Sequence, residues 1–116
     1  MEKYVIKLPC TDNILEIKSC DEGVEDFIEN NIDYFFEIVR NTLLGYPYVL
    51  LVDDEGLLKE NCKLNLIGTL LYQNPIVGDV YIMKEGYVNG ESDLIPLVKD
   101  ECIMIHSYCH RLSDNK

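Results

Sequence analysis

The sequence predicts a single α+β domain covering residues 1–116. The length of 116 residues suits one domain and leaves no room for two. Hydrophobic residues make up 47% of the chain, a proportion typical of a protein with a folded core and not of a disordered segment. Apolar residues alternate in some segments and recur with a helical period in others, so strands and helices share the chain. The predicted order is ββ-α-ββ-α-β-α.

The first two elements are predicted to be a β-hairpin. Residues 3–8 are rich in β-formers and alternate, and residues 14–18 alternate again. The intervening segment 9–13 contains Pro, Thr, Asp and Asn, which are turn residues. We expect Leu15 and Ile17 to point inward from the second strand.

A helix is predicted after the hairpin. Ser19 and Asp21 are both residue types that favour the N-cap, and the acidic residues that follow suit the positive end of a helix dipole. One helical stripe is formed by Val24, Phe27, Ile28 and Asn31.

The end of this helix is ambiguous in the sequence. The stripe could continue as one helix to residue 44. Alternatively, the helix ends near Asn31, and residues 33–40 form a strand that pairs with 48–52. We favour the second alternative, because aromatic and β-branched residues are dense in 34–40 and fit a half-buried sheet.

The remaining elements follow from capping and turn signals. Asn65 is predicted to cap a short helix ending at Tyr72, with Leu66, Leu70 and Ile67 as its buried candidates. Residues 77–83 are predicted to form one closing strand, with Gly86 and Gly90 in a loop after it.

A last helix is predicted over residues 98–111. Its inward stripe would contain Cys102, Ile105, His106 and Cys109. Without this helix, the element order matches the β-grasp (ubiquitin-like) folds, although order alone does not fix how the strands pair.

Charge and cysteine content exclude several classes of function. The net charge of −11, from 21 acidic and 10 basic residues, argues against direct binding to nucleic acid or an anionic membrane. The apolar runs are far shorter than the ~20 residues of a membrane span, and residues 1–8 show no secretory signal pattern. The five cysteines form no CxxC pair and cannot all pair with one another. We therefore expect free thiols and a cytoplasmic protein.

The middle of the chain carries a recognisable pattern. Residues 52–59 read Val-Asp-Asp-Glu-Gly-Leu-Leu-Lys, and Leu64-Asn65, Leu71-Tyr72 and the Ile-Val-Gly-Asp-Val run at 76–80 follow. This pattern resembles a family of small proteins of unknown function found in phages and mobile elements of Gram-positive and gut bacteria. The resemblance covers residues 22–84, supports the aromatic strand after Asn31 and implies no catalytic activity.

The resemblance has two departures. Many relatives carry Arg or a small residue after the Asn, where this chain has Leu66 and Ile67. The Cys- and His-bearing tail after residue 98 lies outside the family pattern. The resemblance therefore implies a phage-related origin, which would place the protein in the host cytoplasm, but says nothing about the tail.

Acidic residues are concentrated in one segment. Residues 12–37 contain nine acidic residues and one base, Lys18, and so carry −8 of the total charge. Neighbours on a helical stripe are roughly 5–6 Å apart, comparable with phosphates along a nucleic-acid strand at roughly 6–7 Å. One interpretation is a nucleic-acid mimic, and the other is a solvated face that only keeps the protein soluble. The acidic candidates for partner binding are Glu22, Glu25, Asp26, Glu29, Asp33 and Glu37.

Tyrosines supply the other binding candidates. The chain contains eight tyrosines, more than a core of this size needs. Tyrosine combines an apolar ring with a polar tip and is enriched at protein interfaces. We include Tyr46 and Tyr48 in the predicted partner-binding surface, with half-buried strand positions as the alternative.

No catalytic or metal site is predicted. Cys102, His106, Cys109 and His110 could share a helix face, but four ligands along one straight helix span about 12 Å, too far for one tetrahedral metal site. Core packing of the cysteines is the simpler explanation. The calcium-loop spacing is absent around Asp53, and no nucleophile or phosphate-binding motif occurs.

The sequence therefore predicts a binding protein that is not an enzyme and needs no cofactor. Its expected partner is a basic protein, such as a nucleic-acid-binding nuclease of a bacterial defence system. The expected action is inhibition by nucleic-acid-like charge, of the anti-CRISPR or antirestriction type. The alternative is a regulatory or assembly module without an inhibitory role. The oligomeric state is left open.

Overall fold

A six-stranded antiparallel sheet with helices on both faces forms this α+β domain. The computed structural model describes residues 2–10, 14–32, 36–40, 42–53 and 63–114. The strands are β1 (Tyr4–Leu8), β2 (Glu16–Ser19), β3 (Phe36–Val39), β4 (Tyr48–Asp53), β5 (Val80–Val88) and β6 (Glu91–Ile95). The helices are α1 (Val24–Asn31), α2 (Leu66–Tyr72) and α3 (Lys99–Asp114).

The long strand β5 organises the sheet. The strand order is β2-β1-β5-β4-β3, and β6 pairs with the C-terminal half of β5. Ile82 pairs with Ile6 of β1 and with Leu50 of β4, whereas Val88 pairs with Glu91 across the hairpin. β1 and β6 therefore lie one after the other along the same side of β5.

Each face of the sheet has its own core. On one face, α1 inserts Phe27 against Tyr81 and Met83 of β5. On the other face, α2 and α3 pack over Ile82 and Val80. Coverage on both faces explains why β5 begins with consecutive buried residues instead of an alternating pattern.

Asn65 fixes the start of α2. Its side-chain oxygen accepts a hydrogen bond from the Gly68 backbone N–H at 2.9 Å. Its amide nitrogen donates to the carbonyl oxygens of Leu8 at 2.7 Å and Gly78 at 2.9 Å. Asn65 is 1% exposed, and these bonds satisfy a polar group that would otherwise be costly to bury.

Several predictions are confirmed. The α+β class is correct, α1 ends at Asn31, and β3 and β4 are adjacent antiparallel strands. The predicted strand residues 33–35 lie outside the described part of the chain. α3 forms with Cys102, Ile105 and Cys109 buried, as its stripe predicts.

The closing segment differs from the prediction. The predicted single strand 77–83 is a hairpin of β5 and β6, and the expected loop at 86–90 is mostly strand. Asn89 and Gly90 form the two-residue turn with φ of 53° and 82°, the backbone that an Asn-Gly hairpin turn adopts. The predicted order therefore lacked one strand. Because the β-grasp assignment depended on a single closing strand, it does not follow from the observed order.

Four side-chain assignments also change. Ile17 is 46% exposed because β2 is an edge strand with little packed over it. His106 is exposed, since the inward stripe of α3 is narrower than predicted. In α2, Ile67 and Leu71 are buried, whereas Leu66 and Leu70 are half-buried.

Candidate partner-binding surface

α1 presents its acidic side to solvent because its apolar side is fixed on the sheet. Phe27 and Ile28 are buried, and the Phe27 ring meets Tyr81 edge-to-face with centroids 5.9 Å apart. The Tyr81 hydroxyl donates to the Asn31 carbonyl at 3.2 Å and holds the C-terminal end of the helix. Glu25, Asp26 and Glu29 lie off this buried side of the helix and are exposed.

The helix begins later than predicted. Gly23 is the N-cap with φ of 106°, a backbone conformation that favours glycine, and no side chain caps the helix. Neither Ser19 nor Asp21 is therefore the cap. Glu22 precedes the helix and does not belong to the helical stripe, although it remains beside it. Glu25 and Asp26 lie in the first turn, where carboxylates suit the helix dipole.

The acids at this end of α1 border a shared groove with β6. The groove has a volume of about 390 Å³. Asp93 and Leu94 of β6 form its other wall. Asp93 was missed by sequence reasoning, because its strand was assigned to a loop. The Asn89-Gly90 pair was the signal that could have revealed the hairpin. The acids that the α1 side contributes to the groove are Glu22, Glu25 and Asp26. Asp93 lines the groove through its strand, but its pairing with Gly86 directs its side chain to the face that carries α2 and α3.

Glu29 extends the acidic surface towards β3. It lines a second concavity of about 310 Å³ with Glu25, Ile28 and Phe36. In the described part of the chain, no Lys or Arg side chain forms an ion pair with these α1 acids or with Asp93. The surface therefore carries uncompensated negative charge. We call Glu22, Glu25, Asp26 and Glu29 the α1 acidic surface.

Basic side chains of the sheet are engaged elsewhere. Arg40 forms a bidentate pair with Glu85 at 2.8–3.0 Å, and Lys84 pairs with a different carboxylate at 2.7 Å. Lys7 lies 3.6 Å from Asp79. Among the described residues, these three bases are therefore ion-paired away from the α1 acidic surface.

Two of the other predicted residues, Glu37 and Tyr48, lie on the opposite face of the sheet. Glu37 is exposed but pairs with Val52, so it lies on the face that carries α2 and α3. Tyr48 lies on that face as well, and its hydroxyl donates to Glu101 at 2.8 Å. Burial, followed by this hydrogen bond, raises the pKa of Tyr48 to about 12. Tyr46 is 77% exposed in the turn before β4, and Asp33 lies outside the described residues.

The buried cysteines are unsuited to nucleophilic chemistry. Burial raises the pKa of Cys102 to about 11 and that of Cys109 to about 12. Burial also raises the pKa of Cys20 to about 11, with the Glu22 charge adding to the effect. Their thiolate populations at neutral pH are small, and the thiolate is the reactive form. Within the described ranges, no three His, Cys, Asp or Glu side chains are grouped to hold a metal ion.

Comparisons with known proteins do not assign this chain to a family. No family model matches the chain, and neither a curated protein nor a solved structure shows significant similarity to it. The resemblance to a phage-associated family therefore stays a prediction. Among the described residues, no helix has the length and apolarity needed to span a membrane.

Proposed function

We propose that this chain is a small acidic binding protein that engages a basic surface of another protein through the α1 acidic surface. The observation that carries the proposal is that its four carboxylates are exposed along α1, around two adjoining concavities, and that none of them has a described basic partner. Unpaired like charges on neighbouring helical turns are unfavourable by a few tenths of a kcal/mol per pair. A partner that supplies Lys and Arg would relieve this repulsion.

The arrangement supports competition with nucleic acid for the partner. Carboxylates one helical turn apart have a separation similar to that of successive phosphates. A basic groove that binds a nucleic-acid backbone would therefore meet negative charges at a spacing similar to that of the phosphates. Such a partner, including a nuclease of a bacterial defence system in the cytoplasm, would be inhibited by occupation of that groove. The phage origin that suggests this setting rests on the family resemblance alone.

A capture experiment with matched variants tests the proposal. Immobilised protein is exposed to a bacterial lysate at low and at high salt, and the bound proteins are identified. The test variant combines Glu25→Gln, Asp26→Asn and Glu29→Gln. The control combines Glu91→Gln, Asp100→Asn and Asp114→Asn, three exposed acids outside the surface. Both variants change the net charge equally.

The proposal expects basic proteins to be captured by the parent and the control and to be lost with the test variant. Capture should also weaken at high salt, because ions screen exposed charges beyond about 8 Å at physiological strength. Equal capture by all three proteins would contradict the proposal. It would favour the alternative of an assembly module whose acidity serves solubility.

A further inference from the structure

The outer edge of β2 carries the features of a self-complementary dimer interface. β2 is one of the two terminal strands of the sheet, and no described strand pairs with its outer side. We propose that a second copy of this chain binds there, with the two β2 strands antiparallel across a two-fold axis at Ile17. This inference is independent of the proposed function.

The backbone hydrogen-bonding pattern of β2 directs the N–H and C=O groups that a second strand would need away from β1. The Cys20 N–H donates to the Lys3 carbonyl at 2.8 Å, which makes this a hydrogen-bonded pair of the β1–β2 ladder. Hydrogen-bonded and non-hydrogen-bonded pairs alternate in an antiparallel ladder. Ile17 and Ser19 are therefore at non-hydrogen-bonded positions, and their N–H and C=O groups point away from β1.

The other side of β1 confirms this alternation. Tyr4 exchanges hydrogen bonds of 2.9 and 2.7 Å with Leu97, so its backbone groups point away from β2. Tyr4 is the β1 partner of Ser19, and Ile6 is the partner of Ile17. Pairing Ile17 with its own copy, and Ser19 with Leu15 of the copy, satisfies outward groups on both chains.

The side chains match in the same register. Ile17 is 46% exposed and would meet Ile17 of the second copy directly across the axis. Glu16 would lie opposite Lys18 of the copy, and Lys18 opposite Glu16. Within one chain these two side chains lie on one face and are 3.8 Å apart. Opposite charges directly across a strand pair are favourable, whereas like charges are not.

The charges on β2 favour a defined pairing with a second copy over non-specific aggregation of exposed strand edges. Exposed edges usually carry charged residues that discourage pairing. β2 has one acid and one base, so its edge is neutral in a chain of net charge −11. β6 contains Glu91 and Asp93, and the same self-pairing about Asp93 would oppose like charges. The edge of β2 is thus suited to self-pairing, and that of β6 is not.

The proposed geometry places both α1 helices on one side of a continuous sheet. A two-fold axis normal to the sheet keeps corresponding faces together. Glu16 and Lys18 pair with Lys7 and Val5, and Val5 belongs to the core under α1. The two acidic surfaces of the dimer would therefore face the same direction, on either side of the new strand pair.

Sedimentation equilibrium from low to high micromolar concentration tests the dimer. The contact is small, so we expect a weak dimer that reaches twice the chain mass of 13.4 kDa only at the upper concentrations. Ile17→Pro removes only an outward N–H, since this position makes no hydrogen bond to β1. We expect this variant to keep its circular dichroism spectrum and to remain monomeric.

A charge-exchange pair makes the register testable. Glu16→Lys gives two bases on β2, and Lys18→Glu gives two acids, so each variant alone should lose the dimer. Mixing the two variants restores opposite charges at both positions, and heterodimers should form. The double variant with both changes should dimerise like the parent.

Three results would overturn the proposal. One is a parent that is monomeric throughout the concentration range. Another is a parent dimer that survives in Ile17→Pro. The third is a mixture of the folded single-charge variants that does not associate, because the pairing register then differs from the one proposed.

Discussion

Lys84 of β5 and Glu101 of α3 are joined by an ion pair of 2.7 Å that ties the last helix to the centre of the sheet. The Glu101 carboxylate also accepts hydrogen bonds from the Tyr48 hydroxyl at 2.8 Å and from the Val98 backbone N–H at 3.0 Å. One side chain thus connects β4, β5 and the first turn of α3.

Replacing this carboxylate should weaken the fold. We expect Glu101→Gln to lower the free energy of unfolding by about 1–2 kcal/mol, because a charged acceptor of three hydrogen bonds is lost in a partly buried site. Asp100→Asn, one residue earlier and exposed, should change it by only a few tenths. Urea unfolding at pH 7 measures both. Equal effects would show that the three bonds contribute nothing specific.

The same group predicts a pH dependence. Burial alone would raise the pKa of Glu101, but the hydrogen bonds from Lys84, Val98 and Tyr48 outweigh it and lower the pKa below its ordinary value of 4.5. The unfolded state then binds the proton more readily, so this stabilisation is present above pH 4.5 and is lost as pH falls through the folded-state pKa. The stability difference between parent and Glu101→Gln should therefore shrink below pH 4.5. A difference that grew on acidification would contradict the assignment.

Asn65 should be among the most sensitive positions in the chain. Asn65→Ala loses the α2 cap and leaves the carbonyls of Leu8 and Gly78 without their donor, so we expect a loss of about 2–4 kcal/mol. Asn65→Asp keeps the cap acceptor but places a carboxylate against two carbonyl oxygens.

The Asp variant carries its own pH signature. Burial and the facing carbonyl oxygens favour the protonated acid, so the pKa of the new carboxyl should be raised in the folded state. Its stability should improve relative to Asn65→Ala as the pH is lowered from 7 to 5, measured by urea unfolding. Identical pH profiles for the two variants would mean that the side chain does not face these carbonyls.

The local signals predicted most of the fold, and the misses have physical causes. Asn65 marked the start of α2 correctly, because capping depends on residues close in sequence, and α1 ends at Asn31 as predicted. The start of α1 was misplaced, because Gly23 and not Ser19 or Asp21 is its N-cap. The β6 strand was missed because its Glu-Ser-Asp segment is polar, and its pairing is set by the Asn89-Gly90 turn. The position of Asp93 in the acidic groove depends on that missed hairpin.

The sequence predicted only the part of the candidate surface that α1 contributes. Glu25, Asp26 and Glu29 follow from the helical period. Glu37 was misplaced because a strand residue can face either side of a sheet, and the register with Val52 decides which. Sequence alone does not supply that register.

The charge of Glu29 should lower the free energy of unfolding. It lies in the last turn of α1, which has no basic residue, and one helical turn after Glu25. Both the helix dipole and the like charge disfavour a carboxylate there. We expect Glu29→Lys to raise the free energy of unfolding by about 0.5–1 kcal/mol. A destabilised variant would indicate that Glu29 has a structural role in the fold.

The more deeply a cysteine is buried, the more slowly its thiol should react. Cys20, Cys102 and Cys109 are buried and have raised pKa values, so iodoacetamide at pH 7.5 should label them slowly in the folded protein. Cys10 is only partly buried and should be labelled faster. Peptide mass spectrometry measures the extent of labelling at each cysteine, and labelling of the unfolded protein in urea is the control. Rapid native labelling of Cys109 would contradict its position in the core.

If the proposed function is correct, the α1 acidic surface occupies a basic surface that would otherwise hold nucleic acid. The most direct test is a competition measurement on a captured partner, using duplex DNA whose fluorescence anisotropy reports binding. We expect the parent and the control variant to displace the DNA, with an association rate that falls steeply as salt rises. The variant with Glu25→Gln, Asp26→Asn and Glu29→Gln should displace it poorly. A partner that holds the DNA and this protein together, or a test variant that displaces DNA as well as the parent does, would contradict the claim.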